Sequence, residues 1–253
     1  MVRNLLVRGM LAGLVAAALA LVFAWIFGEP QVGAAITLEE HAGHAAHATE
    51  AVAEAAAAEP EPVSRGVQST VGLATALGVY GVAVGGVFAL VFAFAYGRLG
   101  AFGARATSGL IALGAFVTVE LVPFLKYPAN PPAVGDPGTI SRRTVLYFAF
   151  VLISVLLAVA AVYAGRRLAP RYGNWNATSL AIAGFLVAVV VVCLLMPAVD
   201  EVPPGFPAAL LWKFRLASLG TQAIVWSGIG LTFGALAGRA LSPYRAPVSS
   251  SAI

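Results

Sequence analysis

Charge is scarce in this chain: 10% of its 253 residues are Asp, Glu, Lys or Arg, against 60% that are hydrophobic. Soluble domains carry roughly a quarter of their residues as charges, so this composition does not build an ordinary water-facing surface. Cysteine is almost missing. A single Cys193 excludes an internal disulfide; about one turn before Met196 in an apolar run, it reads as packing ahead of any soft metal pair. No GxxxxGK[ST] loop occurs and no polar segment is large enough for a nucleotide-binding domain, so the chain does not itself hydrolyse ATP. No nucleophile, base and orienting residue fall together as a hydrolase needs. Histidine is confined to His41, His44 and His47.

What is abundant is apolar sequence in long runs, with a mean hydropathy of +0.90. Six runs approach the ~20 residues that cross a bilayer core: 5–27, 69–96, 107–126, 145–164, 177–198 and 216–238. The expected fold is an all-α polytopic transmembrane helix bundle of about six helices. Five is the alternative, because the last run carries Thr221, Gln222 and several Ser and Gly residues. Arg3 and Arg8 ahead of the first run resemble the basic start of a signal peptide. Its apolar stretch nevertheless exceeds the ~7–15 residues of such a core and no small-x-small site closes it, so it is read as a retained helix. Small residues recur four apart at Gly9/Gly13, Gly81/Gly85 and Gly230/Gly234/Gly238, the spacing that lets helix backbones approach closely in lipid.

Basic residues near helix ends stay on the cytoplasmic side. With six spans and the N-terminus inside, the inner segments hold Arg3, Arg8, Arg98, Arg105, Arg166, Arg167, Arg171, Arg239 and Arg245 and no acid. All three histidines and every carboxylate except Glu120 then fall outside, with Arg65, Lys126, Arg142, Arg143, Lys213 and Arg215. The reading is one membrane domain over 1–253 in a bacterial cytoplasmic membrane. Its first outer loop, 28–66, is rich in His, Glu and Ala, and 241–253 is a disordered tail. The net charge of +4 reflects cytoplasmic anchoring and implies no nucleic-acid partner.

Within that first loop, Thr37 and Glu40 match a capping box and Pro60 supplies a stop, so the intervening segment reads as a helix or nascent helix. On it Glu40, His44, His47 and Glu54 share a face, with His41 beside His44. Imidazole with carboxylate suits cobalt, nickel and zinc, whereas magnesium and calcium favour oxygen alone. Glu40, His41, His44 and His47 are therefore the candidate metal ligands. The plainer alternative is histidine tolerated on a solvated Ala/Glu helix.

Glu120 lies inside the third run, where a carboxylate is costly and marks a functional site by default. Pro123 frees the backbone carbonyl at position 119 beside it. The following segment, "FLKYPANPPAVGDPGTI", is proline-stiffened and brings Lys126, Tyr127, Asn130 and Asp136 to the outer entrance. Asp200 and Glu201 in "MPAVDEVPPGFPAALLWKFRLAS" complete a set of carboxylates that concentrates cations at a mouth. Trp212 and Phe214 beside Lys213 and Arg215 read as interfacial anchors. Two structural alternatives stand beside this: Glu120 pairs with Lys126 or a nearby arginine, and Asp200 and Glu201 balance Lys213 and Arg215.

The N-terminal "RGMLAGLVAAALALVFAWIFGEP", the histidine-bearing loop, and these two proline-rich segments, in this order over roughly residues 3 to 240, resemble the bacterial cobalt transporter subunit family CbtA. "KYPANPP" is the most specific part. The resemblance implies cobalt import for cobalamin synthesis beside a small His-containing membrane partner of the CbtB kind, and a five-helix description against the six runs counted here. The expected function is a non-enzymatic membrane subunit for divalent transition-metal uptake. Co2+ or Ni2+ would be the transported ligand, with no permanently bound cofactor, the lipid bilayer as surroundings and homo-oligomerisation open. A non-transporting metal-binding scaffold or sensor is the alternative from another class.

Overall fold

In the computed structural model, residues 2–48, 63–132 and 134–241 are described. Glu54, Pro60 and the expected disordered tail beyond residue 241 lie outside them. Among the described residues five helices are long and apolar enough to cross a membrane. Helix α1 runs through Val2–Phe23, a π-helical turn Ala24–Gly28, and Glu29–Ala48. Helix α2 comprises Arg65–Val67, a π turn Gln68–Gly72, and Leu73–Ala95. Helix α3 follows the same plan, with Ala104–Ala115, a π turn Phe116–Leu121, and Val122–Lys126. Helix α4 spans Ile140–Leu195 and α5 spans Ala208–Leu241.

Five helices carry the six apolar runs because α4 is broken at Gly173, where φ is 76° and ψ 160°. That conformation is open to glycine and strained for residues with a Cβ. The chain doubles back there: a Cβ on Gly165 would sit 3.2 Å from the Cβ of Ala181, and Phe150 and Val189 share one apolar cluster with Val122 of α3. Cys193 and Met196 pack against that same cluster, the packing role expected of Cys193. Arg8 near one terminus donates to the Leu236 carbonyl near the other, so both termini lie at one end of the bundle.

At this end the helices are held together by what their side chains lack. A Cβ on Gly13 would lie 1.8 Å from the Gly81 carbonyl oxygen, and one on Gly9 would lie 2.3 Å from that of Gly85. The two four-residue pairs seen in the sequence are thus partners, and α1 and α2 touch backbone to backbone. Helix α5 repeats the device against α3, where Gly230 faces Ala112 and the Ser108 hydroxyl donates to the Gly230 carbonyl at 2.7 Å. Phe88, Phe92 and Phe233 fill the space between with edge-on rings 4.9 to 5.4 Å apart.

The helical start expected at Thr37 is displaced. Thr37 lies within the continuous Glu29–Ala48 segment and donates its hydroxyl to the Gly33 carbonyl at 3.1 Å, so it back-bonds instead of capping. No new helix starts there, because the chain is already helical from Val2 onward. Pro30 is accommodated inside it directly after the π turn, which displaces the carbonyl that the proline ring would otherwise strike. Pro123 stands in the same relation to the π turn of α3.

Candidate functional site

Beyond the glycine contacts the helices part around a cavity of about 720 Å³, reached at the end opposite Arg8. Two of the three π turns border it, through Ala24 and Gly28 in α1 and Glu120 in α3, and α2 contributes Leu73, one residue past its own π turn. A π turn widens the helix and re-aims the side chains it carries. Glu120 is placed in this way at the inner part of the cavity, 9% exposed.

Its partners are neutral. The Tyr80 hydroxyl and the Trp226 indole N–H each lie 3.3 Å from Glu120 Oε1 as donors, and the Tyr80 hydroxyl is also 3.2 Å from Gln222 Oε1. Among the described residues two ion pairs occur, Arg65 with Glu29 and Arg143 with Glu201. Neither involves Glu120, so pairing with Lys126 or an arginine does not account for this buried carboxylate.

The rim is the opposite case. Glu201 accepts from the Thr139 hydroxyl at 2.6 Å and from the Asp136 backbone N–H at 3.1 Å, with Arg143 Nε 3.2 Å from Oε2. The Thr139 hydrogen bond first, then the Asp136 amide and the Arg143 charge, hold its carboxyl below the usual carboxylate range. Arg215 donates to Asn130 Oδ1 at 2.9 Å and to the Ala129 carbonyl at 3.3 Å, pinning the proline-rich segment. Tyr127 donates to the Pro197 carbonyl at 2.8 Å, and burial pushes its phenol above the ordinary value. These contacts join the loop after α3 to the loop before α5.

Of the residues expected along the path, Glu120, Tyr127, Asn130, Asp200 and Glu201 all border the cavity. Lys126 and Asp136 do not. The Asp136 side chain instead accepts from the Gly138 N–H at 2.8 Å and closes the turn Pro137–Thr139. The balancing partner of Glu201 is Arg143, not Lys213. Glu40 and His41 are exposed on α1, while the side chains of His44 and His47 lie outside those described. Among the described residues no three His, Cys, Asp or Glu side chains gather as a metal-binding group.

Sequence reasoning missed Gln222, Tyr147 and Glu29, which line the cavity, and Tyr80 and Trp226, which hold Glu120 from behind it. Gln222 does carry a signal, an amide in an apolar run, which in the sequence weighs only against the last span. The CbtA family model, described as a probable cobalt transporter subunit, matches residues 2–238. No curated protein and no solved structure matches the chain. A family match over nearly the whole length of a multi-pass helix bundle leads to one conclusion: this chain belongs to the CbtA family of probable cobalt transporter subunits.

Proposed function

We propose that this chain is the membrane subunit of a cobalt uptake system in a bacterial cytoplasmic membrane, N-terminus inside, and that the ion passes through the cavity headed by Glu120. The observation that carries this reading is a carboxylate, nine-tenths buried and without a basic partner among the described residues, bordering a cavity of about 720 Å³ in a family of cobalt transporter subunits. A buried unpaired charge in a membrane bundle is costly, and a cation that visits the cavity offsets that cost.

Glu40, His41, His44 and His47, on the part of α1 that runs past the cavity, act as an outer collector. Asp200 and Glu201 shape the mouth. Imidazole binds metal only when neutral, so collection weakens as pH falls through the ~6.5 of a free histidine. The word subunit in the family description implies a partner, and a small His-containing membrane protein of the CbtB kind fits that role.

Uptake of radioactive cobalt into cells lacking other cobalt importers tests the reading. The comparison is between the wild-type chain with that partner, Glu120→Ala, and a variant with all three histidines changed to alanine. The expected result is flux abolished by Glu120→Ala and weakened only at low cobalt in the histidine variant. Absence of flux from correctly inserted wild type would replace the transporter reading with a metal-binding scaffold.

A further inference from the structure

Three oxygens from three helices meet at the inner wall of the cavity, where Glu120 and Gln222 line it and Tyr80 stands against both, and they share too few protons. The Tyr80 hydroxyl oxygen of α2 is 3.3 Å from Glu120 Oε1 of α3 and 3.2 Å from Gln222 Oε1 of α5. A phenol has one proton to give. It satisfies one of these acceptors at a time and leaves the other against its lone pairs. Trp226 donates to the same Glu120 Oε1, and among the described residues no side chain donates to Oε2.

The charge distribution points the same way. Around the cavity Glu29 is paired with Arg65 and Glu201 with Arg143. Among the described residues Glu120 and Asp200 carry no ion pair, and of these two Asp200 is exposed while Glu120 is buried. The cavity of about 720 Å³ holds many waters at roughly 30 Å³ each, so an ion can arrive hydrated and exchange part of its shell for protein oxygens.

From this geometry we infer that Glu120, Gln222 and Tyr80 form an all-oxygen site for a partly hydrated divalent metal ion. The ligands are the Glu120 carboxylate, the Gln222 side-chain carbonyl and the Tyr80 hydroxyl oxygen. The inference rests on the reading of Glu120 as part of the ion path and adds to it the ligands from α2 and α5. An oxygen-only set with retained water accepts Mg2+ as well as Co2+, so discrimination between metals at this site is weak.

The test uses the full chain in lipid nanodiscs with His41, His44 and His47 changed to alanine and Trp25, Trp175 and Trp212 changed to phenylalanine. Trp226, hydrogen-bonded to Glu120, is then the single reporting indole. Titration with Co2+ alone is expected to quench its emission saturably, with excess Mg2+ reversing the quench. Glu120→Gln is expected to raise the half-saturating cobalt concentration by about tenfold or more, and Gln222→Leu and Tyr80→Phe by about threefold to tenfold each, the scale of one lost ligand. Circular dichroism and elution volume qualify each variant as folded before titration, and a single folded variant is enough to decide the outcome.

A quench that does not saturate, or one indifferent to these substitutions, overturns the site. Flux measured on the same variants reconstituted into sealed proteoliposomes separates the two readings. Saturable, Glu120-dependent binding without flux leaves this site standing and removes the transporter. Flux with binding indifferent to all three residues does the reverse.

Discussion

Two ends of the same helices behave in opposite ways. Toward Arg8 the bundle closes because side chains are absent: Gly9, Gly13, Gly81 and Gly85 let two backbones meet, and the Gly230 carbonyl accepts a hydrogen bond from the Ser108 hydroxyl. Toward Glu201 it opens around the cavity, which the π turns of α1 and α3 border. The closed end tolerates no added volume, and the open end exists to hold something other than protein. Within the open end a second contrast appears, between a rim carboxylate held by two hydrogen-bond donors and an ion pair and an inner one that has no basic partner among the described residues.

Adding volume at the closed end is expected to have the largest effect. Gly13→Leu drives a side chain into the Gly81 carbonyl, and the loss exceeds about 4 kcal/mol, the range reached only by core disruption. Thermal unfolding in detergent should show no cooperative transition near that of wild type. Gly184→Ala, where a Cβ meets nothing within 4 Å, should unfold like wild type. Equal behaviour of the two variants would remove the idea that backbone contact closes this end.

Next comes the hydrogen bond from Ser108 of α3 to Gly230 of α5 at the closed end. Ser108 is fully buried, so Ser108→Ala should cost about 1 kcal/mol and lower the unfolding temperature by a few degrees without altering cobalt uptake. A loss of uptake at unchanged stability would mean that the closed end takes part in transport.

The rim clasp is expected to give the smallest effect, and one that depends on pH. Glu201 is held below its ordinary value of 4.5, so its contribution to stability is fully present above that value and is lost as pH falls through the lower folded-state value. Unfolding measured across mildly and strongly acidic pH should therefore show a wild-type decline in this window that Glu201→Gln lacks. Parallel profiles would show that the clasp does not stabilise the fold.

Much of this division is legible in the sequence. Transmembrane length and hydropathy are local properties, so all six runs are visible, and a single glycine turn decides whether they form five helices or six. The glycine pairs are visible as a spacing. Their partners are not, because contact between Gly13 and Gly81 depends on how α1 and α2 pack. Glu120 stands out as a carboxylate in an apolar run, whereas Tyr80 and Trp226, 40 and 106 residues away in sequence, reach it only through three-helix packing.

The π turns give no hydropathy signal, although Pro30 and Pro123 mark two of them. The capping box at Thr37 and Glu40 misleads because a Thr-x-x-Glu pattern also occurs inside helices, and nothing in α1 breaks the chain between Pro30 and Ala48.

The most direct measurement is cobalt influx into proteoliposomes containing this chain and its partner, with Glu120→Gln and Glu201→Gln assayed side by side. Both substitutions remove one charge and keep the side chain's shape, and they compare a buried carboxylate on neutral partners with a rim carboxylate paired to Arg143. Influx abolished by Glu120→Gln and retained within about threefold in Glu201→Gln, a difference of over 1 kcal/mol by rate, is the expected result. Influx that survives Glu120→Gln and fails in Glu201→Gln would contradict a path through the inner carboxylate and put the decisive charge at the rim.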